Sequence, residues 1–170
     1  MKIQTLLLIL TMGLFSISLE CVAQNNSNTY KSDVSKYSIE FPSEFSNLDE
    51  ENNMHGAKSG DLTYMAYHGE LKNQYLIEEN KSNTLLVLLY DGVQNNLGAK
   101  VVSQENITIN GYTGKRAILE SEDISGYYYI FIDLDKGYVY HMVVVGVLKS
   151  ESFDAESAEK FANTFKILAS

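Results

Sequence analysis

The stretch from Tyr127 to Val147 constrains the fold more than any other, because it reads as a β-hairpin with no wet side. Asp135-Lys136-Gly137 turns the chain between two long apolar runs. A three-residue loop with Gly137 at the left-handed position sets one register. In it Leu134 faces Tyr138, Ile132 faces Tyr140, Ile130 faces Met142 and Tyr128 faces Val144. The opposite side pairs Asp133 with Val139, Phe131 with His141, Tyr129 with Val143 and Tyr127 with Val145. An antiparallel hairpin with one solvated face alternates apolar and polar residues, and this one is apolar on both. Both faces therefore need cover.

Two segments of helical period offer it. Leu85, Leu86, Leu89, Val93 and Leu97 predict a helix over 77–97, with Gly98 placed as its C-cap. Gly92 in its interior costs about 1 kcal/mol relative to Ala. A second helix is expected from Asp154 to Ile167. Asp154 can cap it, and Ala158, Phe161, Ala162, Phe165 and Leu168 form one stripe. Further strands are expected at Tyr37–Phe41, stopped by Pro42, at 54–58, 62–68 and 113–120. Another runs from Val101 to Ile109 and ends in the turn dipeptide Asn110-Gly111. Residues 43–53 read as an acidic loop. The expected fold class is α+β: an antiparallel β-sheet covered by helices on both faces, an α/β/α sandwich with the hairpin near its centre.

The N-terminus speaks to address rather than fold. Lys2, the apolar run Ile3–Leu19 and the small residues Cys21 and Ala23 have the layout of a secretory signal peptide cleaved after Ala23. The run is too short and interrupted for a membrane span. Residues 24–28 read as a flexible leader, and 29–170 as a single domain without a transmembrane segment. Cys21 is the sole cysteine, so a processed chain has no disulfide and no thiolate. Lipid anchoring at Cys21 is disfavoured by the charged Glu20 just before it. The expected location is the periplasm or the exterior.

Charge excludes one class of partner. The chain carries a formal charge of −9 and a single arginine, Arg116, so it lacks the basic clusters that nucleic acids need. Lys115-Arg116 reads as decoration of an exposed strand end.

Several segments resemble the PsbP-like family, which includes the extrinsic protein of the photosystem II oxygen-evolving complex and many exported bacterial proteins. Tyr37-Ser38-Ile39-Glu40-Phe41-Pro42 resembles its early strand, and Ile107–Gly114 its Asn-Gly hairpin. Tyr127–Tyr140 resembles its aromatic hairpin, and Phe161-Ala162-Asn163-Thr164-Phe165 its closing helix, with Thr164 in place of Ser. The resemblance implies a PsbP-like fold and a binding or assembly role. It brings no catalytic residues.

Chemistry-bearing motifs are sparse. His55, His68 and His141 lack paired-ligand spacing, so no metal is expected. Asp133–Gly137 lacks the later ligands of a calcium loop and reads as a turn. No Gly-x-Ser-x-Gly elbow or phosphate loop is present. Tyrosine is the one excess, 12 against 7 Phe and no Trp, and a tyrosine hydroxyl seeks a partner even where its ring is buried. In the hairpin register above, Tyr127, Tyr129 and His141 share a face and form the candidate surface for a ligand or partner. The expected function is an exported non-catalytic binding or assembly factor of the bacterial cell envelope, with no cofactor and with a protein or small ligand as partner. The alternative is a small-molecule binder or unrecognised hydrolase with its site between sheet and helix.

Overall fold

Asn110 and Gly111 both take positive φ, 50° and 86°, making the two-residue turn that the dipeptide favours. That turn joins strands β6 (Lys100–Ile109) and β7 (Tyr112–Glu120), paired from Ile109↔Tyr112 onward. In this computed structural model residues 28–71, 98–147 and 155–168 are described. They also form β1 (Thr29–Ser32), β2 (Tyr37–Glu40), β3 (Ser46–Asp49), β4 (Met54–Ser59) and β5 (Leu62–Glu70). The remaining elements are β8 (Ile124–Asp133), β9 (Tyr138–Val147), helix α1 (Ala155–Asn163) and β10 (Lys166–Ile167). Seven strands make one antiparallel sheet in the order β3-β4-β5-β9-β8-β7-β6, and β1-β2-β10 make a second.

The β8–β9 hairpin lies between β5 and β7, and both of its faces are buried. Its register differs from the expected one by a single residue. The loop has four residues, 134–137, so Asp133 pairs with Tyr138 and Ile130 with His141. Gly137 is left-handed as foreseen, at φ 72°. The Asp133 side chain accepts a hydrogen bond from the Lys136 amide at 3.0 Å, which closes the longer loop. A one-residue slip exchanges the faces of one strand relative to the other.

On the first face Tyr129, Phe131, Tyr140, Met142 and Val144 pack with Tyr64 and Ala66. Across from them lie Tyr37, Ile39 and Phe41 from the small sheet, and Ala158, Phe161, Ala162 and Phe165 from the helical segment. Burying one such large side chain contributes roughly 1.5–3 kcal/mol. On the second face Tyr128, Ile130, Val139, Val143, Ala117 and Leu119 form a separate cluster. Gly114 must be glycine: a Cβ there would stand 2.3 Å from the Ile130 carbonyl oxygen and 2.6 Å from the Phe131 ring.

The α/β/α sandwich expected from the sequence does not form. Strands hold 63 % of the described residues, and the first face is covered jointly by a β-sheet and one short helix. The apolar stripe toward Phe165 and Leu168 misled, because the chain leaves the helix after Asn163. Thr164 N–H bonds to Phe161 O at 3.1 Å and Phe165 N–H to Ala162 O at 3.1 Å, a tightened last turn. The Thr164 hydroxyl donates to Phe161 O at 2.7 Å and accepts from Glu40 N–H at 3.0 Å. Lys166 and Ile167 then pair with Ser38 and Tyr37. Phe165 is buried from the link between α1 and β10 rather than from the helix. The helix expected over 77–97 falls outside the described residues. Among those described, no helix is long and apolar enough to cross a membrane.

Candidate functional site

The two-residue turn at Asn110-Gly111 sets Glu105 opposite Arg116, and the β7–β8 register sets Arg116 opposite Tyr129. These three side chains form a row across β6, β7 and β8 on the first face. The same turn holds the helix above them. Asn110 Nδ2 donates to Asn163 O at 3.0 Å and to Phe165 O at 2.7 Å. With Ala158, Phe161 and Ala162 turned to the core, Glu159 and Asn163 fall one turn apart along the helix edge.

Between these elements lies an open cleft of about 240 Å³. Strand β6 lines it with Ile107, Thr108 and Ile109, β7 and β8 with Arg116 and Tyr129, and α1 with Glu159 and Asn163. Arg116 is its best-held group. Nε donates to Glu105 Oε1 at 2.7 Å, Nη1 to Glu159 Oε1 at 2.6 Å, and Nη2 also meets Glu105 Oε1. The guanidinium carbon lies 5.5 Å from the Tyr127 ring centre, a cation–π distance. Partial burial works against the positive charge, but the bonds to Glu159 and Glu105, helped by the nearby Tyr129 oxygen, outweigh it and raise the Arg116 pKa. The Arg116 side chain is 23 % exposed, against 54 % and 53 % for Glu105 and Glu159.

Tyr129 is the unusual member. Its residue is 1 % exposed, and its hydroxyl makes no hydrogen bond of ordinary geometry. Burial pushes its pKa up to about 12, with Arg116 opposing, so the phenol keeps its proton at neutral pH. The neighbouring guanidinium can only donate. The Tyr129 proton is therefore unspent, at the wall of an opening.

Of the three residues singled out in the sequence, the structure brings two together. Tyr127 and Tyr129 share the first face, 6.5 Å apart between ring centres. His141 sits on the second face, because the four-residue loop shifts β9 by one position. There it stacks on Tyr67 at 4.3 Å and its Nδ1 lies 2.6 Å from the Tyr128 hydroxyl. Tyr67 in turn bonds to Tyr128. Burial, and secondarily His68, lowers the His141 pKa to about 3, so the ring is neutral. With Nδ1 as the acceptor, Tyr67, Tyr128 and His141 form one relay of hydrogen bonds.

His68 lies by Tyr37 and Tyr138 on the first face, with its pKa lowered by burial and Nδ1 unpaired. His55 stacks on Tyr30 at 3.8 Å, its pKa also lowered by burial. Among the described residues no three His, Cys, Asp or Glu side chains are grouped to hold a metal ion. Asp133–Gly137 is a hairpin turn, with Lys136 Nζ donating to Leu168 O at 3.1 Å.

Arg116, Glu105 and Glu159 were not singled out by sequence reading, which placed Arg116 at an exposed strand end. A signal for part of the site was present. A two-residue Asn-Gly turn dictates the β6–β7 register from Ile109 back to Ser103, and that arithmetic alone sets Glu105 against the chain's one arginine.

No family model matches the chain, and no curated protein matches it by sequence. Among solved structures it is similar to a protein of Bacteroides thetaiotaomicron VPI-5482 whose crystal structure is at 1.50 Å resolution. The two are 10% identical with a TM-score of 0.46, over 85% of this chain and 50% of the other. The chain thus spans about half the length of that protein.

Proposed function

We propose that this chain is an exported, non-catalytic binding factor of the bacterial cell envelope, whose ligand seats in the Arg116–Tyr129 cleft. The observation that carries this reading is the unspent Tyr129 hydroxyl, buried at the wall of an opening beside a guanidinium locked in place. Preorganised donors of this kind suit recognition. The one carboxylate in the cleft lining, Glu159, is tied to Arg116 rather than free to serve as a base, and no histidine, cysteine, serine or lysine lines it. Export rests on the signal-peptide layout of residues 1–23. The order of motifs resembling the PsbP-like family favours a binding role as well.

Asn163 is exposed on α1 at the cleft, so Asn163→Trp places an indole across it. Fractionation of expressing cells is expected to find a periplasmic or secreted chain beginning at Gln24. A dialysable envelope extract is expected to raise the melting temperature of the wild type with concentration and to leave N163W unmoved. A chain retained in the cytoplasm contradicts the export reading. Turnover of a compound in that extract, lost in N163W, contradicts the non-catalytic one.

A further inference from the structure

Resting on the binding reading above, we propose that the Arg116–Tyr129 cleft takes one neutral, hydroxyl-rich ring of the sugar type. Four properties of the cleft select that chemistry. Its volume, about 240 Å³, lies below the roughly 300–1,000 Å³ of pockets for drug-sized ligands, so it suits a single small ring.

Charge is the second property. Arg116 meets two carboxylates, so the local sum is −1 within a chain of −9, and an anion is repelled. A cation fares no better at the wall, because the guanidinium is the most buried charge of the three. It is screened less by solvent than the two half-exposed glutamates. A neutral ligand avoids both costs.

Third, the polar groups alternate in kind. Tyr129 offers an unspent O–H donor. Of the two carboxylates on Arg116, Glu159 lines the cleft; it is bonded through Oε1, and its second oxygen is left as an acceptor. Vicinal hydroxyls supply both roles, each accepting from one neighbour and donating to the next. Fourth, Ile107 and Ile109 give the cleft an apolar side that matches the C–H face of such a ring. In the bound state Tyr129 donates to a ring hydroxyl, and the Glu159 carboxylate accepts from its neighbour.

The test uses the purified chain and a panel of methyl glycosides of glucose, galactose, mannose, xylose and N-acetylglucosamine. Glucuronate and glucosamine serve as the charged counterparts. Saturation-transfer NMR reports binding, and amide shifts report its place. At least one neutral glycoside is expected to shift Arg116, Tyr129 and Glu159. Tyr129→Phe is expected to weaken it at least tenfold without loss of fold, and Tyr128→Phe on the other face to leave it unchanged. Silence across the neutral panel overturns the proposal. So does equal binding by Y129F, or tighter binding of either charged sugar. If the glycosides fail while the envelope extract still shifts the wild type and not N163W, the ligand class is wrong and the binding reading stands. If the extract also fails, both fall.

Discussion

Tyr128 and Tyr129 are neighbours in sequence with almost equal burial, yet the two faces of the sheet use them in opposite ways. On the second face Tyr128 spends its hydroxyl on His141 at 2.6 Å, with Tyr67 behind it, and the network is sealed. On the first face Tyr129 has the same ring and the same burial, but its hydroxyl is unpaired beside an opening. A buried donor without an acceptor costs about 1–3 kcal/mol. The contrast separates a polar group retained for stability from one retained at a cost to stability, and the second kind marks a site.

The largest effect should come from releasing the helix that makes one wall of the cleft. Phe161 packs against Phe41 and Tyr64, each at 5.3 Å between ring centres, and is 3 % exposed. Phe161→Ala is expected to cost about 3–5 kcal/mol in urea denaturation. A loss below 1 kcal/mol would show that the first face does not depend on α1.

Next in size is the pH response of the sealed face. His141 has a folded pKa of about 3 against 6.5 when unfolded, so the unfolded chain binds the extra proton between those values. Stability is full above pH 6.5 and falls as the pH drops toward 3, by about 1.4 kcal/mol per unit. By pH 4.5 the His141 share is roughly 3 kcal/mol. The carboxylates titrate in wild type and His141→Phe alike, so the difference between their stability losses from pH 7 to 4.5 isolates this histidine. His55 and His68, also lowered by burial, act in the same direction and remain in the variant. Identical losses in the two proteins would contradict a neutral buried His141.

A smaller effect belongs to the pinned arginine. Arg116→Gln removes contacts to two half-exposed glutamates and is expected to cost about 1 kcal/mol or less, shrinking in 1 M salt. A salt-independent loss of several kcal/mol would make Arg116 a structural keystone rather than a positioned donor.

What was legible in the sequence follows from how local each signal is. Asn110-Gly111 admits one turn type, so the β6–β7 register, and with it the Glu105–Arg116 pair, lies open to arithmetic. Gly137 is less decisive, because loops of three and of four residues both accept a left-handed glycine. The hydrogen bond from Lys136 N–H to Asp133 chose four, and that one residue carried His141 to the other face. Helical spacing of Phe161 and Phe165 cannot reveal that Thr164 bonds to Glu40, 124 residues away in sequence, and turns the chain into β10. Strands as short as β1, β3 and β10 show too few alternations to register. The acidic 43–53 segment thus concealed β3. Glu159 reaches Arg116 only through tertiary packing.

The most direct test of the two-face contrast is the stability of Tyr128→Phe and Tyr129→Phe measured side by side by urea denaturation at pH 7. Removing the Tyr128 hydroxyl orphans the buried His141 Nδ1 and is expected to cost about 1–2 kcal/mol. Removing the Tyr129 hydroxyl deletes a group with no hydrogen bond, and stability is expected to stay within about 0.5 kcal/mol or to rise. Equal losses in the two variants would mean that Tyr129 is as fully paired as Tyr128, and the cleft would lose its defining feature.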